Sequence, residues 1–188
     1  MTIQEPQMGS LFHEIYVSNI STILIAIPLL LLVWSVIGAA FYKRMQIIGA
    51  FVAVVAIAAI LYLTIFSRGE SGHGADFVPF SSFQRAKIQP EMYRSMLMNV
   101  FLFVPLGLAL PFVFGGSTAK RILLTILIGF LLSAAVEAIQ FFCNLGMTET
   151  DDVICNTVGI AIGSCAYPLL LLWRKLIAKR KKGETPDE

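Results

Sequence analysis

Five long apolar stretches, separated by short polar connections, organise this chain. They run from Ile20 to Phe41, Ile47 to Phe66, Met96 to Phe114, Ile122 to Phe142 and Val153 to Trp173. Each has the roughly 20 mainly apolar residues that a helix needs to cross a bilayer. Because the connections are short, the pattern predicts one all-α bundle, a polytopic membrane domain of five transmembrane helices spanning residues 20–173.

The composition agrees with a membrane protein. Of 188 residues, 57% are hydrophobic and 14% are charged, whereas a typical soluble domain has about 45–50% apolar and about 25% charged residues. The chain has no Walker loop, no metal-binding histidine pair and no dinucleotide fingerprint. We therefore expect an integral membrane protein with no metal, no cofactor and no nucleic-acid partner.

The basic residues predict the orientation of the bundle. Ten of the 14 lysines and arginines lie in the first and third connections and after the last stretch. They are Lys43, Arg44, Lys120, Arg121, Arg174, Lys175, Lys179, Arg180, Lys181 and Lys182. By the positive-inside rule, residues 174–188 are a basic cytoplasmic tail and the N-terminus is outside. Residues 1–19 lack a helical apolar period, so we expect a loosely ordered external tail.

Glu137 is a lone carboxylate inside the fourth stretch. A charge at the bilayer centre costs roughly 2.5 to 3.5 kcal/mol on insertion scales, so this acid needs a partner, water or a proton. Gly129, Ser133, Glu137 and Gln140 follow steps of four, four and three, which places them on one face of a helix. Glu137 therefore belongs to a polar, small-residue stripe.

A second polar stripe runs along the fifth stretch. Asp152, Asn156, Gly159 and Gly163 step by four, three and four, and the two glycines form a small-xxx-small pair that permits close helix contact. We expect this stripe to face the stripe of the fourth stretch.

With the predicted orientation, polar residues of four helices fall at one depth near the outer face. They are Arg68, Asn99, Glu137, Gln140, Asp151, Asp152 and Asn156. The sequence predicts that this cluster binds a ligand, with Glu137 or Asp152 as the candidate general base if it catalyses a reaction. Alternatively, Glu137 pairs with Arg68 or Arg94 as an interhelical staple or remains protonated. Asp151 or Asp152 can instead stabilise a helix N-terminus through its dipole.

The longest connection, Ser67 to Ser95, is too aromatic for a bare linker. Its run from Asp76 to Phe83 predicts a loop that lies back on the bundle or dips into the membrane interface, where aromatic rings are favoured. His73 is expected to be an exposed loop residue. The three cysteines lack metal-ligand spacing, and they are either small free thiols or include a Cys143 to Cys155 disulfide.

Several segments resemble, in order, the VanZ-like family of small bacterial membrane proteins. They are Tyr62 to Arg68, Phe77 to Phe80, Asn99 to Gly107, Glu137 to Gln140 and Thr148 to Gly159. The most specific part of this resemblance is a pair of motifs. One is glutamate-x-x-glutamine, and the other is aspartate-x-x-x-asparagine-x-x-glycine. Relatives often carry an arginine between these motifs, where this chain reads Gly146, Met147 and Thr148.

The resemblance implies a multi-pass protein of the bacterial cytoplasmic membrane. The named member of this family is associated with low-level resistance to teicoplanin-type glycopeptides, independently of the enzymes that remodel the peptidoglycan stem. We expect an envelope or resistance factor that binds a membrane lipid, a lipid-linked cell-wall precursor or a glycopeptide antibiotic at the outer leaflet. Two alternatives remain: a membrane enzyme acting on a lipid or cell-wall precursor, with Arg68 holding a phosphate, or a proton-coupled carrier in which Glu137 takes and releases the proton.

Overall fold

The structure is a computed structural model that describes residues 7–67, 74–89 and 91–183. Within these ranges the chain forms helices joined by tight turns and one pair of short strands. In chain order they are α1 (Gln7–Ala40), a 3-10 turn (Tyr42–Arg44), α2 (Met45–Leu61), a π-helical turn (Tyr62–Phe66), β1 (Gly74–Asp76), α3 (Ser81–Ala86), α4 (Glu91–Val113), α5 (Thr118–Cys143), β2 (Met147–Glu149), α6 (Thr150–Ser164) and α7 (Ala166–Gly183).

Five segments of the described chain are helical, long and apolar enough to cross a membrane. They are Ile20–Ala40, Tyr42–Phe66, Glu91–Val113, Thr118–Cys143 and Thr150–Arg180. Each overlaps one of the five apolar stretches, because a run of about 20 apolar residues satisfies its backbone groups only as a helix within lipid. The prediction of an all-α membrane bundle is confirmed, while the orientation of its termini stays a prediction.

The N-terminal segment differs from the expectation. Helix α1 begins at Gln7, so the prediction of a loosely ordered tail is wrong for residues 7–19. Leu11, Phe12 and Ile15 recur at helical spacing in the sequence, and no proline lies between Gln7 and Pro28. The helix of the first span therefore extends beyond the apolar stretch, back to Gln7.

Helix α4 lies at the centre of the bundle and packs against α1, α2, α5 and α6. Phe103, Val104 and Leu106 are completely buried on it. A helix that is apolar all round is expected in the middle of a bundle. The other spans consequently arrange their polar residues around α4.

Close packing between α4 and α6 depends on glycine. A Cβ at Gly159 would overlap the carbonyl oxygen of Val100, and one at Gly163 would overlap that of Val104. The glycine pair was expected to face α5, and this expectation is wrong. The pair instead contacts α4 of the same chain. Successive residues of a helix are about 100° apart, so Ile160, next to Gly159, is the residue that points at Gly129 of α5.

The last span is interrupted at Cys165, where α6 ends and α7 begins. Pro168 has no N–H to donate to the carbonyl four residues before it, which explains the break. The three cysteines are free thiols, of which Cys155 is buried and Cys143 and Cys165 are exposed.

The long connection lies back on the bundle, as the aromatic run predicts. Strand β1 pairs in parallel with β2, with Ala75 opposite Thr148 and Asp76 opposite Glu149. The Phe77 ring lies 6.1 Å from the ring of Phe141 on α5, centroid to centroid. This strand pair, which the sequence pattern did not predict, fixes the connection beside the ends of α5 and α6.

Candidate functional site

Asp151 holds the connection against the start of α6. Its carboxylate accepts the backbone N–H of Phe80 at 2.6 Å and that of Ser82 at 2.7 Å, and the side chain is only 1% exposed. Phe80 has a left-handed backbone with φ of 65°, which is uncommon for a bulky residue and needs support from its surroundings. The buried carboxylate provides that support through two charge-assisted hydrogen bonds.

Arg85 joins the two strands from the side. Its Nη2 atom lies 3.0 Å from Asp76 Oδ2 and 3.2 Å from Glu149 Oε1, and Ser82 donates its hydroxyl hydrogen to Glu149 at 2.8 Å. An isolated exposed ion pair contributes about 0–1 kcal/mol, but here one guanidinium bridges two partly buried carboxylates. We call Asp76, Ser82, Arg85, Glu149 and Asp151 the clasp.

The surroundings of Asp76 lower the pKa of its carboxyl group. The Ser81 hydroxyl and the Val78 backbone N–H donate to its carboxylate, and together with the nearby Arg85 charge they lower the pKa of Asp76 below its ordinary value of 3.8. Its stabilising contribution is therefore present above that ordinary value and is lost as the pH falls through the lowered pKa.

This shift predicts the pH dependence of the clasp. Protection of the connection against amide hydrogen exchange, corrected for intrinsic rates, should be constant from neutral pH to about pH 4 and fall below it. Asp76→Asn should lower protection at neutral pH and flatten the acid limb, whereas Glu91→Gln, at an exposed acid on α4, should leave the profile unchanged. An unaltered acid limb in Asp76→Asn would assign the transition to another group.

Glu137 lies directly beneath β2. Its side chain is only 6% exposed, and its Oε2 atom accepts the backbone N–H of Glu149 at 3.2 Å. The intramembrane acid of α5 is thus linked through one hydrogen bond to the strand that carries a clasp residue.

The remaining predicted residues connect the helices around Glu137. Gln140 donates to the Thr64 carbonyl at 2.9 Å, joining α5 to the end of the second span. Asn156 donates to Ser133 Oγ at 2.8 Å, joining α6 to α5. Asn99 of α4 donates to Asp152 of α6 at 2.5 Å. Amide side chains therefore join α5 to the second span, α6 to α5 and α4 to α6 at this end of the bundle.

The structure brings together most of the predicted cluster. Six of the seven residues lie at one end of the bundle: Asn99, Glu137, Gln140, Asp151, Asp152 and Asn156. Arg68 and His73 lie outside the described residues. Arg94, proposed as a partner of Glu137, is exposed on the first turns of α4 and forms no ion pair with any described side chain. Asp151 is more than a helix-terminal acid, because it accepts hydrogen bonds from the docked connection.

Sequence reasoning missed Arg85. The sequence feature that could have identified Arg85 is its position just after the aromatic run, which was expected to fold back onto the bundle. Arg85 Nη1 lies 3.9 Å from the sulfur of Met147 on β2.

A cavity of about 420 Å³ opens beside the strand pair and the end of α5. It is lined by Gly74, Ala75, Phe141, Phe142, Asn144 and Gly146. Among the described side chains, three buried acceptors lack a hydrogen-bond donor: Gln140 Oε1, Thr148 Oγ1 and Asn156 Oδ1. The residues described contain no group of three histidine, cysteine or acidic side chains that could hold a metal ion.

The fold and this site define a class of protein: a multi-pass helical membrane protein with a clasped polar cluster at one end of its bundle. The chain matches the VanZ/LLP1 family over residues 50–172 and belongs to that family. The matched region contains the third and fourth spans, most of the second and fifth spans, and the whole clasp.

The relationship to a curated protein covers a shorter region. The chain is similar to "Protein VanZ" of Enterococcus faecium, with 39% identity over 79 residues. That match covers 41% of this chain and 46% of the relative, so the chain matches about half the length of that protein. No solved structure gives a significant match to the chain.

Proposed function

We propose that this VanZ-family protein is an envelope or glycopeptide-resistance factor of the bacterial cytoplasmic membrane. It binds an amphiphilic ligand, a lipid-linked cell-wall precursor or a teicoplanin-type glycopeptide, at the outer leaflet. The observation that carries the proposal is the cavity of about 420 Å³ next to the clasp.

The walls of this cavity suit an amphiphile. Phe141 and Phe142 supply aromatic surface, and the Phe142 side chain is 79% exposed. Asn144 and Gly146 supply an amide side chain and turn backbone on the opposite wall. Pockets that combine apolar surface with a few polar groups hold ligands by burial and orient them by hydrogen bonds.

The polar cluster behind the cavity favours a ligand rich in hydrogen-bond donors. The unpaired buried atoms of Gln140, Thr148 and Asn156 are an amide or hydroxyl oxygen in each case, and an unsatisfied buried polar atom costs about 1–3 kcal/mol. None of the three residues lines the cavity, so an amide, hydroxyl or ammonium group of a ligand would reach these oxygens only after the surrounding side chains moved. The clasp carboxylates Glu149 and Asp151 already bind the connection, which supports binding rather than acid–base chemistry.

The charge pattern supports the outer leaflet as the place of binding. The cluster lies at the end of the bundle opposite the first and third connections and α7, where the basic residues are concentrated. The positive-inside rule then directs the cluster outward. A ligand entering from the outer leaflet would meet Phe142 before the clasp.

Teicoplanin susceptibility tests this proposal. Expression of the chain in a susceptible bacterial host should raise the minimum inhibitory concentration of teicoplanin. Phe142→Ala should weaken ligand affinity by about tenfold, because a buried phenyl contact contributes about 1.5–3 kcal/mol, and should abolish most of the increase. Phe66→Ala is the matched control, since Phe66 is 77% exposed at the end of the second span and does not line the cavity.

Both variants must be present in the membrane at wild-type levels, measured by immunoblot. Equal loss of resistance in both variants would assign the effect to general membrane contacts. An unchanged susceptibility on expression of the wild-type chain would contradict the resistance function itself, and binding of labelled teicoplanin to vesicles would then separate binding from resistance.

A further inference from the structure

At the basic end of the bundle, several cationic side chains form no ion pair with a described carboxylate. Four cationic side chains lie close to the ends of the helices there: Lys43, Arg44, Arg121 and Arg174. The sequence segments that form this end, residues 38–46, 108–121 and 166–182, contain no aspartate or glutamate. An anion is the missing counter-charge at this end.

Two cavities open between the helices at this end. One of about 350 Å³ lies between the α1–α2 turn and Arg174, and one of about 310 Å³ lies between that turn, Phe112 and Arg121. Tyr42 and Lys43 line both cavities. Lys43 therefore lies between two neighbouring cavities.

Both arginines are held in place by aromatic rings. The guanidinium carbon of Arg174 lies 3.7 Å from the centroid of the Tyr42 ring, and that of Arg121 lies 5.2 Å from the centroid of Tyr167. Cation–π contact of this kind orients a guanidinium without neutralising its charge. Pre-ordered guanidinium groups lose less side-chain entropy when they bind a phosphate.

Backbone carbonyls orient Arg121 further. Its Nε donates to the Gly116 carbonyl at 3.0 Å and its Nη1 to the Pro111 carbonyl at 3.0 Å. Neither bond uses Nη2, which stays available as a donor. Arg121 thus links the end of α4 to the start of α5 while still offering an N–H to an anion.

We propose that these paired cavities bind the phosphate group of an anionic membrane lipid, with Lys43 and Arg174 as its main cationic contacts. The apolar residues Ala39, Ala40 and Phe41 line the same space, and they suit the glycerol and upper acyl region of a lipid better than a free, fully hydrated phosphate. Basic pockets between membrane helices recognise lipid headgroups in this manner. This site lies at the opposite end of the bundle from the clasp and is independent of the proposed function.

Thermal unfolding in detergent tests the site. The full chain should unfold at a higher temperature when dioleoylphosphatidylglycerol is added than when dioleoylphosphatidylcholine is added. The double variant Lys43→Gln, Arg174→Gln should require about 30-fold more phosphatidylglycerol for the same shift, because two cations are lost near the anionic headgroup. The control Lys179→Gln, Arg180→Gln removes the same charge from the exposed end of α7 and should behave like the wild type.

The alternative outcomes are distinct. If the α7 control loses the response as strongly as the cavity variant, the lipid is attracted diffusely to the basic tail and the proposal is wrong. If inorganic phosphate alone produces the full shift, the site takes a free anion and the lipid assignment is wrong. Should the double variant fail to fold, Lys43→Gln alone, at an exposed position, provides the same comparison with Lys179→Gln.

Discussion

Gly159→Leu is expected to separate α4 from α6 and to destabilise the bundle by about 3 kcal/mol or more. A leucine Cβ at this position would overlap the Val100 carbonyl oxygen, which is backbone and cannot rotate away. Small residues permit the close backbone approach on which membrane helix packing depends. Thermal unfolding in detergent should show a midpoint lower by about 10 °C.

Gly115→Leu is the matched control for this substitution. A Cβ at Gly115 meets no atom within 4 Å, so the same added side chain should shift the midpoint by no more than a degree or two. Equal destabilisation by both substitutions would show that leucine perturbs the protein in some way other than through the contact between α4 and α6.

Asp151→Ala is expected to release the long connection while leaving the membrane helices folded. The substitution removes the acceptor for two backbone N–H groups, from Phe80 and Ser82, and should weaken docking by about 3 kcal/mol. The open population would then rise about 100-fold. Limited trypsin digestion, which cleaves after Arg85 and Lys87 once the connection opens, should accelerate by a similar factor when opening is fast relative to cleavage.

The control for Asp151→Ala is Glu91→Ala, which removes a carboxylate at an exposed position near the start of α4. Its digestion rate should match that of the wild type. The helical circular dichroism signal should be unchanged in both variants. If Asp151→Ala left the cleavage rate unchanged, the connection would be held by β1–β2 pairing and the Arg85 ion pairs alone.

The spans and the polar stripes could be predicted because they depend on local properties of the sequence. Apolar length determines which segments can cross a bilayer, and helical spacing places Ser133, Glu137 and Gln140 on one face. All three residues are indeed buried on α5. The aromatic run also correctly predicted a connection that folds back onto the bundle.

The features that sequence reasoning missed depend on which elements meet in three dimensions. The spacing of Gly159 and Gly163 showed that these residues permit a close helix contact. It did not show that the contact is with α4 rather than with α5. Arg85 is charged and lies in a connection, so nothing local indicated that it would bridge Asp76 and Glu149. Pairing of β1 with β2 needs residues 73 positions apart to meet, which no local pattern can indicate.

That sequence separation also determines the order in which the protein can fold. Because chains fold from the N-terminus as they are synthesised, β1 emerges well before β2 and Asp151 exist. The first two spans must therefore insert with the long connection unattached, and the cost of closing this large loop is met only after the fourth span has entered the membrane. Docking of the connection consequently shows that the later spans have inserted, and a chain stalled after the third span would leave this segment undocked and open to proteolysis.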